Sequence, residues 1–312
     1  MERSFLLRLY EMGERDFTGV DLRGADLSGV TLIDVNLSGA NLTGANLSRA
    51  FLTKSNLSGA FLNWANLTFV KMSEGYMADA DFTKADISGA FMVKSNLSRA
   101  KLSGANLTGV NLRGSDLEKA NLCGANLENI NLRGANLIGA NLNWAKLSGA
   151  RLSGAALYGA FLNNVNLTGA FLNGVDLNGV DLNGANLSEA KLNGAKLQAA
   201  NLTATNFSEA QLHGVSLTGA DLTGADLTNA SLCKAKLNWS NLSKADLSKA
   251  DLKGANLLGA KIDGAEFTDV TMFDSTRRYL CTIATGTTVW SGRETRATLT
   301  FSPNPARQAI LS

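Results

Sequence analysis

The stretch Ala105-Asn106-Leu107-Thr108-Gly109-Val110-Asn111-Leu112-Arg113-Gly114 contains two copies of a five-residue phrase. The phrase runs from Arg15 to Asp274 without an insertion, a deletion or a slip of phase, which makes 52 consecutive units. The central residue is Phe17, then Leu22, Leu27 and so on to Met272; 42 of the 52 centres are Leu and the rest are Phe, Met or Ile, so no centre is polar. Two residues before each centre stands Ala in 34 units, otherwise Val, Ser, Thr, Gly or Ile, with Arg15 the one misfit. Asn or Asp is favoured between these two, Ser, Thr or Asn follows the centre, and Gly closes about half of the units.

A period of five excludes both regular alternatives. On an α-helix, successive centres would lie roughly 140° apart and the apolar stripe would spiral to every side. In a continuous strand an odd repeat sends successive centres to opposite faces. Each unit must therefore turn. If the small residue and the centre both point inward, at the two-residue spacing of a strand, the last two positions are left to form a corner, and Ser, Thr, Asn and Gly are corner residues. Identical short sides joined by identical corners wind into a coil, and stacked coils satisfy one another's backbone: an all-β solenoid. Each buried Leu contributes roughly 1.5 to 3 kcal/mol gross, against the entropy of ordering the chain.

Phrases such as Ala25-Asp26-Leu27-Ser28-Gly29 and Ala105-Asn106-Leu107-Thr108-Gly109 match the A(D/N)LXX signature, and over 15–274 the chain resembles the pentapeptide repeat family. That resemblance implies a right-handed quadrilateral β-helix with four units per coil. On that number the 52 units make about 13 coils, and at about 4.8 Å per coil a rod roughly 60 Å long.

Residues 1–14 precede the repeat and carry Phe5, Leu6, Leu9 and Tyr10 near helical spacing, which predicts a short amphipathic helix capping the first coil. Arg8 interrupts this apolar run, which is too short for a signal peptide, and no stretch approaches a membrane span. Residues 275–312 break the pattern. They hold both prolines, Pro303 and Pro305, and two alternating segments, Thr287-Thr288-Val289-Trp290 and Thr298-Leu299-Thr300-Phe301, which with Gly292 between them predict a hairpin cap or a partly disordered tail. Arg277, Arg278, Arg293, Arg296 and Arg307 make this tail basic against the single acid Glu294.

Little points to catalysis. Cys123, Cys233 and Cys281 are odd in number and scattered, which suits a reducing cytoplasm and gives no metal or disulfide framework. The only histidine, His213, falls at a corner with no nucleophile or ligand neighbour in the pattern. No GxGxxG or Gly-Lys-Ser/Thr element occurs, and the many Asn-X-Ser/Thr triplets are by-products of the repeat. No catalytic residue, cofactor, metal or small-molecule substrate is expected.

What remains are departures from the consensus on outward positions. They cluster in sequence between Phe61 and Met92, where Phe61, Trp64, Phe69, Tyr76 and Phe91 are the candidate partner-binding residues; Trp144, Tyr158, Phe161 and Phe171 form a second group. A second reading of the same stretch is that Gly75 and the softer centres Met72, Met77, Phe82, Ile87 and Met92 accommodate a local distortion. With four units per coil, charges also sort by face. The face centred on Leu27 and every fourth unit thereafter has nine acids against three bases, and the next, centred on Leu32, has nine bases against four acids.

The expected function is a rigid, non-catalytic scaffold or adaptor for a protein partner. The alternative that the resemblance implies, a DNA mimic acting on DNA gyrase or another type II topoisomerase, needs a strongly negative rod, and the formal charge is +2. Weak nucleic-acid binding through the basic face and tail is the third reading. Neither a membrane nor, on balance, a nucleic acid is expected as partner.

Overall fold

The computed structural model describes residues 1–300. The end of the expected tail, from Phe301 through Pro303, Pro305 and Arg307, lies outside the described residues. The chain divides into two compact units, Met1–Phe171 and Leu172–Ser312.

In both units the repeat forms parallel one-residue bridges at a fixed register of twenty. The series runs Asp16 to Asn36 through Arg151 to Phe171 in the first unit, and Asp176 to Lys196 through Asp251 to Thr271 in the second. Four pentapeptides therefore complete one coil. Within each unit the coils have four walls, labelled A to D by the centres Phe17, Leu22, Leu27 and Leu32 and every fourth centre after them.

Each position of the phrase has one backbone task, as residues 105–109 show. The Ala105 N–H closes the preceding corner on the Leu102 carbonyl (3.1 Å), Asn106 donates to Ala85 one coil below (2.9 Å), and Leu107 and Gly109 donate to Asn126 and Glu128 one coil above (2.6 and 2.9 Å). The fifth donor, the Thr108 N–H, is taken by the Asn106 side chain at 3.2 Å. All five donors are satisfied inside one short phrase, which is why Asn or Asp precedes the centre. Centres and small residues form the core, and almost all of them are fully buried.

The closing residue of every unit from Gly19 to Asp269 has φ between 53° and 73°, the left-handed region where a Cβ is costly. Gly relieves that strain, yet 24 units carry another residue there. Ala199 and Ala204 are two of these, exposed and without packing to lose. Ala199→Gly and Ala204→Gly are each expected to raise the unfolding free energy by about 1 kcal/mol. Chemical denaturation checks this; a loss of stability would contradict the strain assigned to the corner.

The amphipathic N-terminal helix, α1 (Arg3–Glu11), lies over the start of the first unit. It buries Leu6 completely. Its Tyr10 hydroxyl accepts the Ile33 N–H (3.2 Å) and donates to the Ile33 carbonyl (3.4 Å), and Arg3 pairs with Asp26 at 3.7 Å. The misfit Arg15 is explained here: its guanidinium stacks 4.0 Å over the Tyr10 ring instead of entering the core.

The C-terminal segment differs from the expected hairpin. Residues Asp274–Ile283 form a helix, α2, with Leu280 buried, and Asp274 in its first turn complements the helix dipole. A small hairpin follows, with one antiparallel bridge from Thr287 to Glu294 around Gly292 (φ 70°). Thr298-Leu299-Thr300 does not supply a second strand, because Thr295–Thr298 is a helical turn, α3, that buries Thr295, Thr298 and Leu299 at helical spacing. The cap is tied down by Phe267 N–H to Thr298 Oγ1 (3.0 Å) and Trp290 Nε1 to the Lys244 carbonyl (2.8 Å).

Candidate functional site

The register of twenty determines which outward side chains meet. Phe61, Trp64, Phe69, Tyr76 and Phe91 are all on the surface, between 50% and 62% exposed. They do not form one cluster. Phe61 and Trp64 stand on wall B, Phe69 at the end of wall C, Phe91 on wall D and Tyr76 on wall A.

Two of the five come together across the corner from wall C to wall D. The Phe69 ring lies over Gly89, where an added Cβ would sit only 2.5 Å from it, and Gly89 is two residues before Phe91. Phe91 in turn stacks in the column Phe51, Lys71, Phe91. The Lys71 ammonium lies 4.6 Å over the Phe51 ring. Phe51 was missing from the residues singled out by sequence; its signal is a spacing of two coils from Phe91, visible once twenty is the register.

All five aromatics occupy positions that the backbone would give to another residue type. Phe61, Tyr76 and Phe91 replace the Asn or Asp whose side-chain oxygen accepts the N–H two residues on, a bond worth about 1 kcal/mol. Trp64 and Phe69 are held at φ 55° and 57°. Bulky residues are rare in that region.

An altered corner occurs at a separate place. At the corner from wall D to wall A the usual bond across the turn is opened, and a hydroxyl from the next coil is inserted. Ser95 Oγ accepts the Gly75 N–H (3.3 Å) and donates to the Met72 carbonyl (2.8 Å); Ser115 does the same between Ser95 and Met92 (3.2 and 2.7 Å). Gly75 is packed tightly there, with the Met72 carbonyl 3.0 Å from an ideal Cβ. Ser55 makes the same insertion between Val35 and Leu32 (3.3 and 2.9 Å), so the inserted corner follows the Ser of the next coil and requires neither Gly75 nor a softer centre; the exposed aromatics take no part in it.

In the second group, Trp144, Tyr158 and Phe161 are more than half exposed. Phe161 continues the column of Phe61 and Trp144 that of Trp64, both on wall B.

Charges follow the walls too. In the first unit wall D carries Lys54, Lys71, Lys94, Arg113, Arg133 and Arg151 against Asp34 and Glu74. In the second unit wall C carries Glu189, Glu209, Asp226, Asp246, Glu266 and Asp269 against Lys249. Burial acts to raise the Glu266 carboxyl, but bonds from Ser291, Thr268 and Thr288 outweigh it and hold the group below the ordinary glutamate range. Part of this acidic wall is therefore committed to holding the cap. Tail arginines are committed as well: Arg277 donates to the Leu299 and Val270 carbonyls, and Arg293 to Ala297.

His213 is an exposed corner residue, and among the described residues no group of side chains could hold a metal ion. The three cysteines are free, and no described helix is long and apolar enough to cross a membrane.

The model of the family described as "Pentapeptide repeats (8 copies)" matches ten stretches, from residues 16–49 to residues 234–269, which together cover residues 16–269. The chain is a pentapeptide repeat protein. Among solved pentapeptide repeat proteins, HetL, described as involved in heterocyst differentiation regulation in the cyanobacterium Nostoc sp. strain PCC 7120, is 32% identical. The match covers 85% of this chain and 96% of HetL, with a TM-score of 0.36. A pentapeptide repeat protein from the Arabidopsis thaliana thylakoid lumen is 36% identical over 41% of this chain and 89% of its own, with a TM-score of 0.40. QnrB1, a plasmid-mediated fluoroquinolone resistance protein, is 21% identical over 67% and 89%, with a TM-score of 0.23. No curated protein matches the chain.

Proposed function

We propose that this pentapeptide repeat protein is a non-catalytic, cytoplasmic scaffold that binds protein partners through its walls. In this reading the unbroken period over 15–274 is one right-handed quadrilateral stack of about 13 coils. The observation that carries the reading is the placing of the aromatics. Phe61, Trp64, Phe69, Tyr76 and Phe91 each cost the backbone a capping bond or a relaxed corner and remain exposed. A local departure from the fold's own rules without a local return is accounted for by binding. A wall pinned coil by coil loses little entropy on docking, and exposed Trp, Tyr and Phe are the side chains that anchor interfaces.

Changing Phe61, Trp64 and Phe91 to the consensus Asn, Gly and Asn is expected to keep the fold and raise solubility, while reducing the partners that immobilised protein retains from its native extract. Circular dichroism and paired capture experiments with wild type measure both effects. An identical set of partners on the two proteins would remove the aromatics from the binding surface. The topoisomerase reading is less well supported, because a DNA mimic needs free carboxylates, and on the acidic wall Glu266 is bound to Ser291 of the cap and Asp246 is buried.

A further inference from the structure

Resting on the scaffold reading, we propose that wall D of the first unit is a docking strip for one kind of partner, an extended acidic polypeptide segment with an apolar residue at one end. Lys94, Arg113, Arg133 and Arg151 stand on four successive coils of this wall, all exposed, and no acid shares the wall with them from residue 90 to residue 154. The Lys94 N–H donates to the Arg113 carbonyl (3.0 Å) and the Gly114 N–H to the Arg133 carbonyl (2.9 Å), so the coils that carry them are held about 4.8 Å apart; Arg113 and Arg133 share a column, and Lys94 and Arg151 extend it obliquely across the wall. The stem of Lys94 lies across Gly114, 3.8 Å from the ideal Cβ position, which keeps it on the strip.

Some cations of the first unit are neutralised in place, Arg23 by Asp21 and Arg99 by Asp79, whereas others, such as Arg49 and Lys84, belong to no ion pair among the described residues. None of the four cations of the strip belongs to one either. Like charges on neighbouring coils are unfavourable, and the backbone register prevents them from separating. A bound row of carboxylates would remove that repulsion.

The borders of the strip select the occupant. Glu128 stands on the neighbouring wall C with Lys146 one coil on, and Asp116 and Glu118 stand on wall A with Lys119, which pairs with Glu118 at 3.1 Å. A nucleic-acid duplex is wider than one wall and would overlap these carboxylates, whereas a single extended polypeptide stays between them. Three coil spacings from Lys94 to Arg151 take about five extended residues. On the coil of Lys94 the strip ends with Phe91 at the opposite edge of the wall, 50% exposed, with the Phe69 ring next to it over Gly89; one coil beyond Lys94, in its own column, stands Glu74. That end accepts the apolar residue.

The test uses the full chain and a fluorescein-labelled peptide of about five glutamates followed by leucine, titrated by fluorescence anisotropy. Binding is expected at low ionic strength and should weaken as salt is added. The variant Arg113→Glu/Arg133→Glu should lose about tenfold or more in affinity, while Arg113→Lys/Arg133→Lys keeps most of it. Lys84→Glu/Lys101→Glu makes the same change of net charge on wall B and should bind like wild type. Both Arg113 and Arg133 point outward, so circular dichroism should show all variants folded. The proposal is overturned if the peptide does not bind or if the wall B variant loses as much as the wall D variant. It is also overturned if a single-stranded oligothymidylate binds more tightly and loses affinity in the wall D variant, which would make the strip a nucleic-acid surface. Any of these results leaves the aromatic capture experiment, and with it the scaffold reading, to stand or fall separately.

Discussion

Replacing Leu137 by Asp is expected to destroy the cooperative melting of the first unit, while replacing Ser148 by Asp leaves it within a degree or two of wild type. Leu137 is fully buried among Leu-type centres and small residues. The substitution removes the packing of a buried Leu, worth about 3 to 5 kcal/mol, and adds the desolvation of an unpaired charge, so the loss is on the order of 5 kcal/mol or more. Ser148 follows a centre and lies on the outer side of its corner, where a change of surface residue is worth about 0.5 kcal/mol. A solenoid is held by contacts between neighbouring coils, so the damage should also divide the stack at the altered coil. Thermal unfolding followed by circular dichroism separates the two variants; equal midpoints would refute the inward assignment of the centres.

That prediction could be written from the sequence because the five-residue phrase is a complete statement of local structure. The Asn or Asp before each centre, the small residue before that and the Gly at the end each answer a backbone requirement that the coordinates make explicit in Asn106, Ala105 and Gly109. The number of units in a coil is another matter. Nothing inside one phrase specifies it, since every corner is chemically alike, and only the bridges from residue n to n+20 fix it.

The same gap explains why the candidate site was only half legible. Phe61, Trp64, Phe69, Tyr76 and Phe91 are close in sequence, but one full coil is twenty residues, so neighbours in sequence are carried to different walls. Phe51 and Phe91 are forty residues apart and share a column. In the C-terminal cap the second expected strand differs for another reason. Alternation in Thr298-Leu299-Thr300 suits a strand, but Thr295, three residues earlier, converts the same residues into the buried side of a helical turn.

The register itself can be tested with a cysteine already present. Cys123 and Asn143 occupy the same position on wall B one coil apart, and the Gly124 N–H donates to the Asn143 carbonyl at 3.0 Å. With Cys233 and Cys281 changed to Ser, Asn143→Cys is expected to form a disulfide with Cys123 under mild oxidation, because adjacent coils lie about 4.8 Å apart, inside the reach of the bond. Ser148→Cys, one wall further round, should stay reduced. Deleting residues 137–141 removes one unit and moves position 148 to the place that 143 held. The core accepts this, since every centre and every small residue performs the same role on each wall, and the outer columns after the deletion all move by one wall. In that background the cross-link should pass from Asn143→Cys to Ser148→Cys, read as the change in mobility on non-reducing gels. Deleting the full coil 137–156 should instead leave every later column on its own wall. A cross-link that stayed with Asn143→Cys after the short deletion would mean that the stack absorbs a missing unit locally, and the walls would then not be the fixed surfaces that a scaffold requires.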